Sequence, residues 1–154
     1  SWKNGVVKLI AGQHTPGEAA AVNSVGSEIV GQASTHKWPF GAAFENTNGK
    51  LGVLGTLSGH RGDSSYANGI SDDGTIIGWS GASFSGVQRA FIRNKNWADP
   101  GMHSLKHVLT ARGAKVPANI ILSDALAISA DGSTVVGTWV DASFHSGSFL
   151  AHLH

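Results

Sequence analysis

The chain contains no cysteine, which removes disulfides, thiolate nucleophiles and cysteine-based zinc sites together and leaves the redox compartment open. It is also poor in charge: 14% of its residues are Asp, Glu, Lys or Arg, where a soluble domain usually carries about a quarter. Its 11 Lys and Arg are scattered and its net charge is +1, so it lacks the concentrated basic surface that nucleic acid or an anionic membrane requires. No apolar run approaches the ~18 residues of a transmembrane helix, and no such span is expected. What is abundant is glycine, 21 of 154 residues, about twice its usual share. Few charges and many glycines fit short strands joined by tight turns, in one domain with one core.

The organising signal is a segment that occurs three times: Ala19-Ala20-Ala21-Val22-Asn23-Ser24-Val25-Gly26-Ser27-Glu28-Ile29-Val30-Gly31, then Ala67-Asn68-Gly69-Ile70-Ser71-Asp72-Asp73-Gly74-Thr75-Ile76-Ile77-Gly78, then Ala125-Leu126-Ala127-Ile128-Ser129-Ala130-Asp131-Gly132-Ser133-Thr134-Val135-Val136-Gly137. Each copy reads as a strand, a turn ending in glycine and a β-branched pair stopped by another glycine. Asp-Gly supplies the left-handed backbone of a hairpin turn, and Ile and Val suit a pleated, buried surface. Hairpins are therefore expected at residues 19–34, 67–80 and 125–139. A second hairpin follows in each unit, entered at Ala43-Phe44, Ala90-Phe91 and Ser148-Phe149. The turn and strand Asn48-Gly49-Lys50-Leu51-Gly52-Val53-Leu54 are matched near the start by Asn4-Gly5-Val6-Val7-Lys8-Leu9-Ile10.

These matches predict an all-β fold of three four-stranded, propeller-like units of about 50 residues each. The units fall near residues 11–57, 58–105 and 106–154, and pairing of strand 2–10 with the C-terminal strand near 147–153 closes them. Twelve strands are expected, closed as a ring of three units or as a homodimer of six, because pairing the ends removes both open edges. The second repeat interval is longer than the first, and its extra residues include Leu105, Val108 and Leu109 at helical spacing. Ser104 is placed to cap the start and Gly113 to end the turn, predicting one short helix over 104–112. The expected core comprises Val22, Ile29, Val30, Ile70, Ile76, Ile77, Ile128, Val135 and Val136, with Phe44, Phe91 and Phe149.

The repeated segments, with Leu51-Gly52-Val53-Leu54-Gly55-Thr56-Leu57 and the Ala-Phe pairs, resemble the HAF repeat of extracellular bacterial proteins, including autotransporter passenger regions. The likeness runs over nearly the whole chain. It departs from the pattern in lacking histidine before Ala43, Ala90 and Ser148, and in having Ser148 where alanine is usual. The resemblance implies secretion and a propeller-like fold, and it implies no settled activity.

Individual motifs carry little chemistry. His103 and His107 have the i, i+4 spacing of two metal ligands on a helix, without a following Glu or a third ligand, so an exposed helix face is the expectation and no metal or other cofactor is assigned. Gly81-Ala82-Ser83-Phe84-Ser85 fails as a nucleophile elbow at its last position. Asp72-Asp73-Gly74 and Asp131-Gly132-Ser133 lack the alternating ligands of a calcium loop and sit where turns are needed. Trp79 and Trp139 are expected in the core or at its rim. Arg61-Gly62-Asp63 resembles the integrin-recognition tripeptide of adhesive proteins, the alternative being an ordinary solvated loop.

The connections give a stronger lead. In four-stranded antiparallel units the second-to-third-strand loops and the unit-to-unit connections share one end. That end gathers Trp38, Phe40, Phe84 and Phe144 with Arg61, Gly62 and Asp63. Those aromatics either form a ligand-binding face or plug the end of the core. The expected function is therefore a non-enzymatic repeat module, extracellular or on a bacterial cell surface, that binds a host or neighbouring-cell protein or glycan. A structural or oligomerisation module is the alternative, and a propeller-type hydrolase the third reading.

Overall fold

The computed structural model describes residues 5, 9, 10, 15–82 and 86–153. They form three antiparallel sheets and one short helix. The first sheet is β1 (Gly17–Val22), β2 (Glu28–Ala33), β3 (Ala42–Thr47) and β4 (Lys50–Gly55). The second is β5 (Asp63–Ile70), β6 (Thr75–Ala82), β7 (Arg89–Asn94) and the two-residue β8 (His103–Ser104). The helix α1 (Leu105–Ala111) leads to the third, β9 (Ile120–Ile128), β10 (Thr134–Asp141) and β11 (Ser146–His152). Strands follow one another in sequence order within every sheet. Each copy of the repeated segment supplies the first hairpin of a sheet, and its turn glycine lies in the left-handed region, with φ of 74° at Gly26, 80° at Gly74 and 74° at Gly132.

The glycine that ends each copy is needed for a different reason. The first strand of every sheet bulges beside this glycine, so that Ala20, Asn68 or Leu126 is skipped in the pairing with the second strand, and β9 skips Ser123 as well. The bulge pushes the carbonyl of Glu18, Tyr66 or Asp124 over the neighbouring strand. A Cβ on Gly31, Gly78 or Gly137 would fall 1.9, 1.9 and 2.0 Å from those oxygens. On the other side of each glycine the register places Phe44, Phe91 and Phe149. The rings of Phe91 and Phe149 come within 2.9 and 2.7 Å of the space a Cβ would take. The repeat's Gly and Phe are therefore one device, an aromatic ring laid over a bare backbone beside a bulge.

The sheets stack face to face with the second in the middle. Adjacent residues of a strand point to opposite faces, and Ile76 joins the core formed with Val30 and Ala43 of the first sheet while Ile77 joins that formed with Leu122, Ala125 and Val135 of the third. Burying a side chain of this size contributes about 1.5–3 kcal/mol. Polar ties reinforce the first interface, where Arg93 is 2.9 Å from Glu45, Lys95 pairs with Glu28 and Gln32 donates to the Ser65 carbonyl at 3.0 Å. Leu105 and Leu109 of α1 are buried in the second core. Ser104 precedes α1 without a side-chain capping bond, and Gly113 ends the turn at φ 91°.

Two expectations are corrected. Among the described residues the strands form three separate sheets and no sheet closes on another, so a closed propeller ring is not supported. Flat sheets packed face to face lie about 10 Å apart, so stacking three of them separates the first and last faces. Strand 2–10, expected to pair with β11, lies largely outside the described residues; among those described, β11 pairs with β10 alone. The core assignment fails at the same places. Val22 is 54% exposed and Val136 39%, because each belongs to an outer sheet on which no further sheet stacks among the described residues. Val30, Ile70, Ile76, Ile77, Val135, Phe44 and Phe91 are buried, and Ile29, Ile128 and Phe149 are half-buried.

Candidate functional site: the loop end

The two ends of the stack differ in how their polar groups are used. At the turn end, successive hairpins latch one sheet to the next. Ser24 donates from its amide and its hydroxyl to the Asp72 carboxylate, each at 2.8 Å, and the Asp72 amide donates to the Ala130 carbonyl at 2.8 Å. Burial alone would raise the Asp73 carboxyl, but bonds from Ser71 and Thr75 outweigh it and hold the group below its usual range. These acids are consumed by the fold. Among the described residues no three His, Asp or Glu side chains converge as a metal site needs, and His103 lies in β8, its Nε2 3.0 Å from the Asp99 carbonyl.

Two half-buried titratable groups, Asp124 and Tyr66, are also engaged. Asp124, raised by burial, accepts from Asn68 Nδ2 at 2.7 Å across the second interface. Tyr66 beside Glu18 is pushed up to about 12 by burial and by that carboxylate.

At the loop end, the residues expected to bind divide sharply. Trp38 is 6% exposed: a turn closed by Thr35 folds its indole inward over Gly55, with Lys37 above the ring at 5.4 Å. It plugs the core. Arg61 is exposed but donates to the His36 carbonyl at 2.7 Å, tying the β4–β5 loop to the β2–β3 loop and placing both at one end. Asp63 opens β5, half-buried, and its carboxylate accepts from Ser58. Gly62 is exposed between them. The Arg-Gly-Asp tripeptide thus works as a brace at the root of a strand, not as a free loop tip. Phe40 is 43% exposed, and Phe84 lies outside the described residues.

Phe144 is different. It is 94% exposed and sits at φ 63°, a left-handed conformation that costs a side chain of this size about 1–2 kcal/mol. Asp141 holds it there. One carboxylate oxygen accepts from the amides of Ser143 and His145 at 2.8 and 2.9 Å, the other meets His145 Nδ1 at 3.0 Å, and the Phe144 amide donates to the Asp141 carbonyl at 3.1 Å. The bond with His145, aided by those amides, holds the Asp141 carboxyl below its usual range. The result is a rigid turn that presents one benzyl group to solvent.

One further feature has no local signature in the sequence. An apolar hollow of about 500 Å³ lies between the segment after α1 and the third sheet, walled by Val116, Pro117, Ile120, Trp139 and Phe149. The pattern around Trp139 marks it as a rim residue, but the wall facing it comes from residues 114–117, whose position no neighbouring residue announces.

The fold and this end together define an all-β stack of three antiparallel sheets that displays loops at one pole. Compared with protein-family models, with curated proteins and with solved structures, the chain finds no match. No helix among the described residues is long and apolar enough to cross a membrane.

Proposed function

We propose that the protein is a non-enzymatic binding module, secreted or displayed on a bacterial cell surface, that contacts a host or neighbouring-cell protein or glycan through its loop end. The observation that carries this reading is Phe144, almost fully exposed in a strained backbone conformation that Asp141 over-determines. Strain retained by a dedicated hydrogen-bond network at an exposed aromatic is characteristic of presentation to a partner. An aromatic ring stacks on a sugar face or enters an apolar pocket with little conformational entropy to lose. The likeness of the repeat to extracellular HAF sequences supports the setting. The internal use of Asp63 and Arg61 moves the expected contact away from the Arg-Gly-Asp tripeptide and toward the β10–β11 turn.

The test is a binding screen of the whole chain against a glycan array and against host cells, run in parallel with Phe144→Gly. The reading requires at least a tenfold loss of any signal in the variant with an unchanged circular dichroism spectrum. Signal that survives the substitution sinks it. A second reading, a module whose function is assembly, is favoured by the exposed apolar side chains Val22, Leu126, Val136 and Leu150 of the outer sheets.

A further inference from the structure

Three of the exposed large hydrophobics gather in one sheet. Leu126, Val136 and Leu150 are 49%, 39% and 62% exposed, and they belong to the third sheet, where Val136 pairs directly with Leu150 on one side and with Ala127 on the other. The repeat says what such a face is for. Val136 occupies the position of Val30 in the first sheet and Ile77 in the second. Both of those are 0% exposed, because the first strand of the next sheet packs on them: β5 on the first sheet, β9 on the second. Leu150 likewise stands where Ile92 stands, and Ile92 is 0% exposed under β9.

The opposite end of the stack shows the complement. In β5 the residues that press on the preceding sheet are Ala67 and Ile70, at 0% and 7% exposure, and in β9 Ala125 is 0% exposed. Their counterparts in β1 are Ala19 and Val22, and both are exposed, Val22 at 54%. Ile128 and Ile77 both approach Gly69 within 3.5 Å of where its Cβ would be, so they meet across the second interface. Val22 and Val136 are the same pair of positions, one in each outer sheet, and both are exposed.

We propose that this face receives a second copy of the chain: the third sheet of one molecule takes β1 of the next, Val22 against Val136 and Leu150, repeating the interface already present twice inside the molecule. The contact is heterologous, head to tail, and leads to a ring or a filament according to its angle. It leaves the loop end free at every copy.

Two substitutions at already exposed positions test this. Val22→Asp blocks the head and Leu150→Asp blocks the tail, and circular dichroism checks that each folds; Leu126→Asp replaces the second if it does not. In sedimentation velocity across a concentration series, the parent should gain mass with concentration. Each variant alone should stay monomeric. An equimolar mixture should form a dimer and stop there, because each variant retains the surface the other has lost. A parent that is monomeric throughout, a variant that self-associates like the parent, or a mixture that stays monomeric overturns the proposal. Phe144→Gly should associate as the parent does, so that failure here is separate from failure of the binding function.

Discussion

Replacing Gly78 by alanine tests the device on which every sheet is built. A Cβ at this site lies 1.9 Å from the Tyr66 carbonyl oxygen and 2.9 Å from a ring carbon of Phe91, whereas a carbon–oxygen contact needs about 3.3 Å or more. Neither neighbour yields cheaply. Phe91 is 0% exposed, and displacing a packed side chain costs about 1–3 kcal/mol. Moving Tyr66 means pulling β5 off β6 at its bulge and giving up one or two ladder hydrogen bonds, at about 1 kcal/mol each. Alanine returns about 0.4–1 kcal/mol by restricting the unfolded chain. The expected net loss is about 2–4 kcal/mol, and for a chain of this length each kcal/mol lowers the melting temperature by about 2–4 °C. Gly52→Ala is the matched control: it too lies in a strand, but its nearest neighbour is the Glu45 carbonyl at 3.8 Å, so its stability should stay within about 0.5 kcal/mol of the parent. Urea titration followed by tryptophan fluorescence and by circular dichroism measures both. If Gly78→Ala lies within about 1 kcal/mol of the control, the bulge-and-glycine account is wrong.

Three more expectations follow from particular groups. Phe144→Gly should raise the melting temperature, because glycine adopts φ 63° without the strain of a benzyl side chain; a lower midpoint shows that the ring packs on something. The chain has one tyrosine, and its tyrosinate absorbance should rise near pH 12 instead of the usual 10.0. Since the folded value is the higher, the stability linked to Tyr66 is whole below 10.0 and is lost as pH climbs through about 12; titration at the ordinary value would place Tyr66 in open water. Asp73 runs the other way. Its folded carboxyl is depressed, so its contribution is whole above the unfolded value of 3.8 and is lost as pH falls through the lower folded one. Asp73→Asn should flatten the acid side of the stability curve, and an unchanged slope assigns that slope to other carboxylates.

Much of the fold was legible because its signals are local. Asn48-Gly49, Asp73-Gly74 and Asp131-Gly132 carry the backbone their turns need, with φ of 52° and 87° at the first pair, and hairpins form at all three copies of the repeat. Leu105 and Leu109 announced α1 by spacing alone. The terminal glycine of each copy was also visible, though only as a stop. Its real cause, a carbonyl from a bulged neighbour, is a pairing between strands that no single segment contains. The errors at Val22 and Val136 share an origin. Both sit in segments that match the buried copies position for position, but burial is decided by the sheet stacked above, and among the described residues no further sheet lies on either.

The loop end divides for the same kind of reason. Trp38 and Phe144 look alike in sequence, each an aromatic in a polar loop between the second and third strands of its sheet. Trp38 turns inward onto Gly55, where an added Cβ would lie 3.4 Å from the indole, and that glycine lies in β4, away from the Trp38 loop in sequence. Phe144 is held outward by a device that is local: Asp141 accepts from the amides two and four residues on, the pattern of a carboxylate closing its own turn. The amino-acid sequence itself therefore carries this signal, an aspartate with an aromatic three residues on. Asp63 shows the converse. Its tripeptide looked like a loop tip, yet Ser58, five residues earlier, takes its carboxylate and makes it the root of β5. An acid that closes a turn forward exposes what it encloses, and one bound from behind is withdrawn into the fold. That difference in direction moves the candidate contact from Arg61 to Phe144.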